Sequence, residues 1–113
     1  MKDLRATKVI HITHEMPVET LNDLADTAQG GIGYWALWQG ADRWSQFDES
    51  NGKPFGDEFT LDADLILKGI EAFSKSDSAY WHSVATDVID GGADIDACDS
   101  IVQYAVFGRL VYG

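Results

Sequence analysis

Residues 30–40 read GGIGYWALWQG, and this run of glycines leading into aromatic side chains decides how the first half of the chain is built. Glycine loops that cradle phosphate lie between a strand and the start of the following helix, whose N-terminus faces the anion. Here the order is reversed, because a helical pattern ends at the glycines and a strand pattern begins after them. The stretch therefore predicts a helix cap and a bend, with Gly30 or Gly31 at positive φ and no phosphate bound there.

The patterns on either side of the glycines support this interpretation. Residues 17–29 open with Pro17, which suits a first helical turn, and their apolar side chains recur at helical spacing. Residues 34–38 alternate as a strand does, with Tyr34 and Trp38 on one side and Trp35 on the other. We expect one face of this strand to pack on a helix at 61–75.

The remaining segments predict an α+β fold. Strand patterns occur at 7–13, around Trp44 and Phe47, and in the short run EFTL, with a turn at ESNGKPFG before the last of these. Helical patterns cover 61–75, capped by Thr60 or Asp62, then 77–89, and 95–107, which ends at Gly108 before an extended tail. The helices and strands do not alternate as βαβ units. We therefore predict one domain over 1–113, with about four helices and a small antiparallel sheet of two or three strands.

The composition limits the classes of partner. The chain has 113 residues, 45% of them hydrophobic, and a formal net charge of −11. Phosphate binding needs a basic footprint, so this charge argues against nucleic acid and anionic membranes as direct ligands. A basic protein partner, divalent cations or simple solubility are all compatible with it. The lone cysteine, Cys98, excludes an intrachain disulfide and suits a reducing cytoplasm. The charged N-terminal stretch contains no apolar run of signal-peptide length.

The residues suited to catalysis are few. His11 and His14 are three apart on a predicted strand and face opposite sides, which does not suit a shared metal. His82 is interpreted as a helix-surface or partly buried histidine, and Cys98 as a packed, unreactive one. No nucleophile-elbow pattern occurs. We predict no catalytic residues, no cofactor and no metal.

The densest polar cluster is DGGADIDACD, which contains Asp90, Asp94, Asp96 and Asp99. Calcium prefers several carboxylates on a glycine-bearing loop, but this spacing departs from the EF-hand loop and lacks its closing glutamate. Carboxylates at a helix start are favourable without any ion, so capping is the favoured interpretation. From Ser76 to Gly108 there is no lysine or arginine. If this segment shares a face with the acidic residues of 42–64, the surface would attract a basic groove.

Two further stretches are GGIGYWA, after the first helix, and the last twenty residues, DIDACDSIVQYAVFGRLVYG. Both resemble small uncharacterised acidic proteins of tailed phages and prophages. The residues that fit the closing pattern of that family are Gln103, Ala105, Phe107, Gly108, Val111, Tyr112 and Gly113. The segment TLDADLILKGIEAF is similar to the central helix of that family, and Arg109 departs from its commoner acidic residue. The resemblance implies a small accessory protein acting in the cytoplasm of a microbial host, and it implies no settled activity.

Three hypotheses follow. The first, which we adopt, is a non-enzymatic inhibitor of a host protein, such as an anti-CRISPR or anti-restriction protein with an acidic, DNA-mimicking face. The second is a small-ligand or nucleotide binder that uses Trp35, Trp38 and Trp44 as stacking walls, and the third is a small enzyme. If Trp38 and Trp44 are exposed together they mark an interface, with another protein or as a homodimer. The predicted partner-binding residues are Asp90, Asp94, Asp96, Asp99, Trp38 and Trp44.

Overall fold

The structure, a computed structural model, describes residues 16–113, in which four helices and one three-stranded antiparallel sheet surround a common core. The elements in chain order are α1 (Val18–Gln29), β1 (Ala36–Gly40), β2 (Arg43–Phe47), β3 (Pro54–Thr60), α2 (Ala63–Lys75), α3 (Ala79–Asp90) and α4 (Ile95–Phe107). The predicted α+β class is confirmed. The strand predicted at 7–13, together with His11 and His14, lies outside the described residues.

Side-chain caps fix where the last three helices begin. The carboxylate of Asp62 accepts the N–H of Leu65 at 2.9 Å, and that of Asp94 accepts the N–H of Ala97 at 2.9 Å. The hydroxyl of Ser78 does the same for α3. Each such cap satisfies an amide that has no partner within its helix, and it stabilises the helix by about 1 kcal/mol. The expected cap at Asp62 is confirmed, and α4 begins and ends where its pattern predicts, at a left-handed Gly108.

The prediction of positive φ at the first glycines is wrong. Gly30 closes α1 at φ −77°, and the left-handed glycines do not include Gly30, Gly31 or Gly33. The glycine at 31 has a different purpose, because a Cβ there would lie 2.8 Å from Cγ2 of Ile95. Its missing side chain therefore lets the start of α4 approach the end of α1.

The sheet has the order β1-β2-β3, with Trp38 opposite Trp44 and Trp44 opposite Phe59. Both pairings contain a register irregularity, and Gly56, at φ +74°, lies within β3. The strand expected over EFTL is longer than predicted, because β3 already begins at Pro54. Proline is tolerated at the first position of a strand. Because Pro54 follows an Asn-Gly turn signal, the sequence pattern assigned the first residues of β3 to the turn.

Helix α4 is the centre of the core. Every residue from Ala97 to Gln103 is buried, and α2 packs along it. A Cβ on Gly69 of α2 would collide with the carbonyl oxygen of Ile101 and lie 2.9 Å from its carbonyl carbon. Glycine at this position therefore sets how closely the two helix backbones approach.

The sheet joins the helices through aromatic side chains at its base. The ring of Trp35, just before β1, lies 5.8 Å from that of Phe59 and 5.4 Å from that of Phe107 at the end of α4. We expected this stretch to pack on α2, whereas the ring and indole N–H of Trp35 contact α4, β3 and Tyr112. The ring of Phe73, on α2, instead stacks on that of Tyr104 at 4.7 Å.

We expect Gly69→Ala to destabilise the chain strongly. The added methyl group meets backbone rather than a mobile side chain, so α2 and α4 must move apart and the core must repack. The expected cost is about 3 kcal/mol, or a fall in Tm of roughly 10 °C or more, measured by thermal and urea denaturation. Gly33→Ala is the matched control, because nothing lies within 4 Å of a Cβ there. Equal losses for the two variants would contradict the close helix approach.

Candidate functional site

The predicted acidic cluster divides into an exposed part and a buried part. Asp90, Asp94 and Asp96 are exposed where α3 runs into α4, and Asp87 is exposed one turn earlier on α3. Asp99 is only 8% exposed. The structure therefore corrects the prediction that Asp99 belongs to an acidic surface, because α4 is buried on all sides at that position.

The exposed carboxylates Asp87, Asp90, Asp94 and Asp96 form what we call the acidic edge. Between them the chain passes close to α1, since a Cβ on Gly91 would lie 3.0 Å from Cγ2 of Thr20. Asp23 is one turn further along the same side of α1 and is also exposed, so it adds a carboxylate beside this connection. No lysine or arginine of its own segment, residues 76–108, offsets the charge of the edge.

Asp94 and Asp96 each stabilise the start of α4 as well as belonging to the acidic edge. Its oxygen caps α4, as the interpretation of DGGADIDACD as a helix start predicts. Asp96, in the first turn, complements the positive end of the helix dipole. The charge at this edge is therefore partly explained by the needs of α4, and only Asp87 and Asp90 lie outside that explanation.

The buried carboxylate of Asp99 holds three neutral donors. It accepts the hydroxyl of Tyr34 at 2.5 Å, the indole N–H of Trp35 at 2.8 Å and the amide of Gln103 at 3.1 Å. A buried charge is tolerated when hydrogen bonds replace its lost hydration. Asp99 thus connects α4 to residues 64 and 65 positions earlier in the chain, next to the start of β1.

Gln103 extends this network to residues 109–113, which we call the strap. Its side-chain oxygen accepts the N–H groups of Val111 and Tyr112, both at 2.8 Å. Sequence reasoning missed this role for Gln103. The available signal was the pair Asp99 and Gln103, two polar residues four apart on one face of an otherwise largely apolar helix.

The phenol of Tyr34 is held in its neutral form. Burial raises its pKa to about 12, and the hydrogen bond to Asp99 and the charge of that carboxylate act in the same direction. The charge of Asp96 acts in the same direction with a smaller effect.

The tryptophans do not line one open site. Trp35 is 1% exposed and Trp44 is 8% exposed, whereas Trp38 is 58% exposed. Trp44 belongs to the buried core, so Trp38 and Trp44 are not exposed together and the condition for a binding patch formed by this pair is not met. The indole N–H of Trp38 donates to the carbonyl of Ala41 at 2.7 Å, which holds the ring over the β1–β2 turn.

Cys98 and His82 are placed as the sequence indicated. Cys98 is fully buried, and burial raises its pKa to about 12, with the charge of Asp94 adding to the effect. A thiol with such a pKa is not a nucleophile at neutral pH. His82 is exposed on α3, with Nε2 at 2.6 Å from Oδ1 of Asp77.

Comparison with known proteins gives no relative: no protein-family model, no curated protein and no solved structure matches this chain. Within residues 16–113, no group of three or more histidine, cysteine, aspartate or glutamate side chains is placed to hold a metal ion. None of the helices in that range is both long enough and apolar enough to span a bilayer.

We expect Asp99→Asn to cost about 2–3 kcal/mol of the free energy of unfolding. One end of the asparagine amide is a donor, so it faces the donating groups of Tyr34 or Trp35 and leaves a buried polar atom without a partner. Urea denaturation measures this loss. Asp96→Asn removes an exposed charge on the same helix and is the control; equal effects from the two variants would contradict the network.

We expect the phenol of Tyr34 to ionise with a midpoint near pH 12, measured by ultraviolet absorbance of wild type minus Tyr34→Phe. Because its pKa in the folded chain lies above the unfolded value of 10.0, the neutral phenol stabilises the fold. That stabilisation is complete below pH 10 and is lost as the pH rises through about 12. A midpoint near 10 would show that the contact with Asp99 does not persist.

Proposed function

We propose that this chain is a non-enzymatic accessory protein of phage type that binds and inhibits a host protein in the host cytoplasm. The partner we infer is a protein with a basic groove that binds nucleic acid, as in restriction or CRISPR systems. The acidic edge would occupy that groove in place of DNA. The observation that carries the proposal is the set of four exposed carboxylates at the junction of α3 and α4, in a segment (76–108) without lysine or arginine.

Electrostatics supports a protein partner over nucleic acid itself. A net charge of −11 repels phosphate and speeds association with a basic surface, with an effect that falls as salt is added. Aspartate side chains are short, and Asp94 is fixed further by its bond to Ala97. Carboxylates held in this way suit mimicry of a phosphate backbone better than long, mobile side chains.

The structure reduces the predicted contact set from six residues to four. Asp99 and Trp44 are buried, which leaves Asp90, Asp94, Asp96 and the exposed indole of Trp38. The same burial removes two of the three stacking walls, Trp35 and Trp44, that the alternative of a nucleotide binder requires. No observation favours that alternative or a small enzyme over the inhibitor.

The proposal is tested by reversing charge at the acidic edge while keeping the two carboxylates that make structural hydrogen bonds, Asp94 and Asp99. The test variant combines Asp87→Lys, Asp90→Lys and Asp96→Lys, which spares the cap at Asp94 and the buried Asp99. We expect it to lose binding to proteins that the wild-type chain captures from a bacterial lysate, with a fall in affinity of roughly tenfold to a hundredfold at low salt. DNA should compete with the wild-type chain for the captured protein.

The matched control carries the same change in net charge on the sheet and its turns. Asp42, Glu49 and Asp57 are exposed there, and replacing all three by lysine alters charge by the same amount. Equal losses for the two triple variants would reduce the effect to net charge and would contradict a specific edge. An affinity that is indifferent to salt and to the edge variant would overturn the proposal.

A further inference from the structure

The strap is attached through the backbone of Val111 and Tyr112 and through the side chain of Tyr112. The carboxamide oxygen of Gln103 accepts the N–H groups of Val111 and Tyr112, and its nitrogen donates to the carbonyl oxygen of Tyr112 at 3.3 Å. The ring of Tyr112 stacks on that of Trp35 at 5.3 Å with the planes 8° apart, and it lies 6.0 Å from the ring of Phe107. Most of the attachment of this short extended segment is thus made by one residue, Tyr112.

The site that holds the strap is built from three parts of the fold. We call it the slot, and its walls are Trp35, Gln46, Gln103 and Tyr34. The amide of Gln46, on β2, donates to the hydroxyl of Tyr112 at 2.8 Å, and Tyr34 meets the ring of Tyr112 edge-on at 6.5 Å. Asp99 bonds to Trp35, Tyr34 and Gln103 directly, so these walls are positioned without help from the strap.

The rest of the strap contributes little to its attachment. Leu110 is 43% exposed and Val111 is 46% exposed, so neither buries most of its apolar surface. Gly108, at φ +75°, separates the strap from α4, and nothing lies within 4 Å of a Cβ there. Opening of the strap would break the hydrogen bonds of Val111 and Tyr112 and the ring contacts of Tyr112, and it would leave the contacts between the helices in place. Local opening of this kind can cost less free energy than unfolding of the whole chain.

We propose that the slot is a peptide-binding site in which the strap is the resident occupant, and that an extended segment of another protein, carrying a tyrosine, displaces it. The incoming tyrosine ring stacks on Trp35 and its hydroxyl accepts from Gln46. The N–H groups of the tyrosine and of the residue before it donate to Gln103. The strap thereby acts as an intramolecular competitor that sets the affinity for the incoming segment.

Charge selects the kind of partner. The carboxylate of Asp99 lies behind three walls of the slot, to which it is hydrogen-bonded, and none of those bonds comes from a basic group. The strap itself carries Arg109 three residues before its tyrosine, and a basic residue at that position in an incoming segment would be attracted by a chain with a net charge of −11. Two copies of a chain with a net charge of −11 repel each other, so a second copy is disfavoured as the source. This inference does not depend on the acidic edge.

The test uses the full chain with Tyr112→Ala, which empties the slot of its ring, and the probe peptide acetyl-Arg-Leu-Val-Tyr-Gly-amide. NMR of the indole N–H of Trp35 reports occupancy. We expect the peptide to bind this variant at least about tenfold more tightly than wild type, where the strap competes. Leu110→Ala alters an exposed strap residue and should behave as wild type. The peptide with alanine in place of tyrosine should not bind.

Three results would overturn the proposal. The first is a folded Tyr112→Ala chain that ignores the tyrosine peptide or binds the alanine peptide equally. The second is amide hydrogen exchange of wild type in which Val111 and Tyr112 are as protected as Ile101 and Val102 in α4, since the strap would then open only with the whole fold. This measurement decides the matter if Tyr112→Ala does not fold. The third is a wild-type dimer that exchanges straps, which would make a second copy the occupant.

Discussion

The buried carboxylate of Asp99 is the interaction on which the arrangement of this chain depends. It has no basic partner among its hydrogen bonds, so three neutral donors must be brought to it from the start of the sheet and from its own helix. Hydrogen bonds to a charged group each contribute about 1.5–3 kcal/mol, and losing one leaves a buried group without a partner. The carboxylate therefore holds Trp35 against α4, and the ring of Trp35 in turn stacks on Phe59 of the sheet and Tyr112 of the strap.

Local chemistry made the helices predictable. The caps at Asp62 and Asp94 and the left-handed Gly108 interact only with residues within one turn of the helix end. The local sequence is therefore enough to predict where these helices begin or end. The features that were missed depend on residues far apart in sequence. Gly31 is small because of Ile95, and the strand β3 extends to Pro54 because β2 offers a partner at Phe47. Neither contact can be recognised from the residues next to it in the sequence.

The same limit applies to the candidate site. Aspartate serves three different purposes here: it caps helices at positions 62 and 94, it organises the core at position 99, and it lies free of the caps on the surface at positions 87 and 90. Composition counts all of these alike and so overstates the charge available to a partner. What separates Asp99 from its neighbours is the burial of α4 on every side, which only the packing of α1 and α2 around that helix reveals.

The close approach of α2 and α4 also constrains how this sequence can diverge. A side chain at position 69 would force the two backbones apart, and the stacking of Phe73 on Tyr104 would be disturbed with it. A larger residue at position 69 can therefore be accepted in evolution only together with a second substitution, which replaces a residue of α4 at the crossing by a smaller one. Gly33 and Gly92 face open space and are free to vary. Among homologous chains, we therefore expect a small residue at position 69 to be retained more often than the exposed aspartates of the acidic edge.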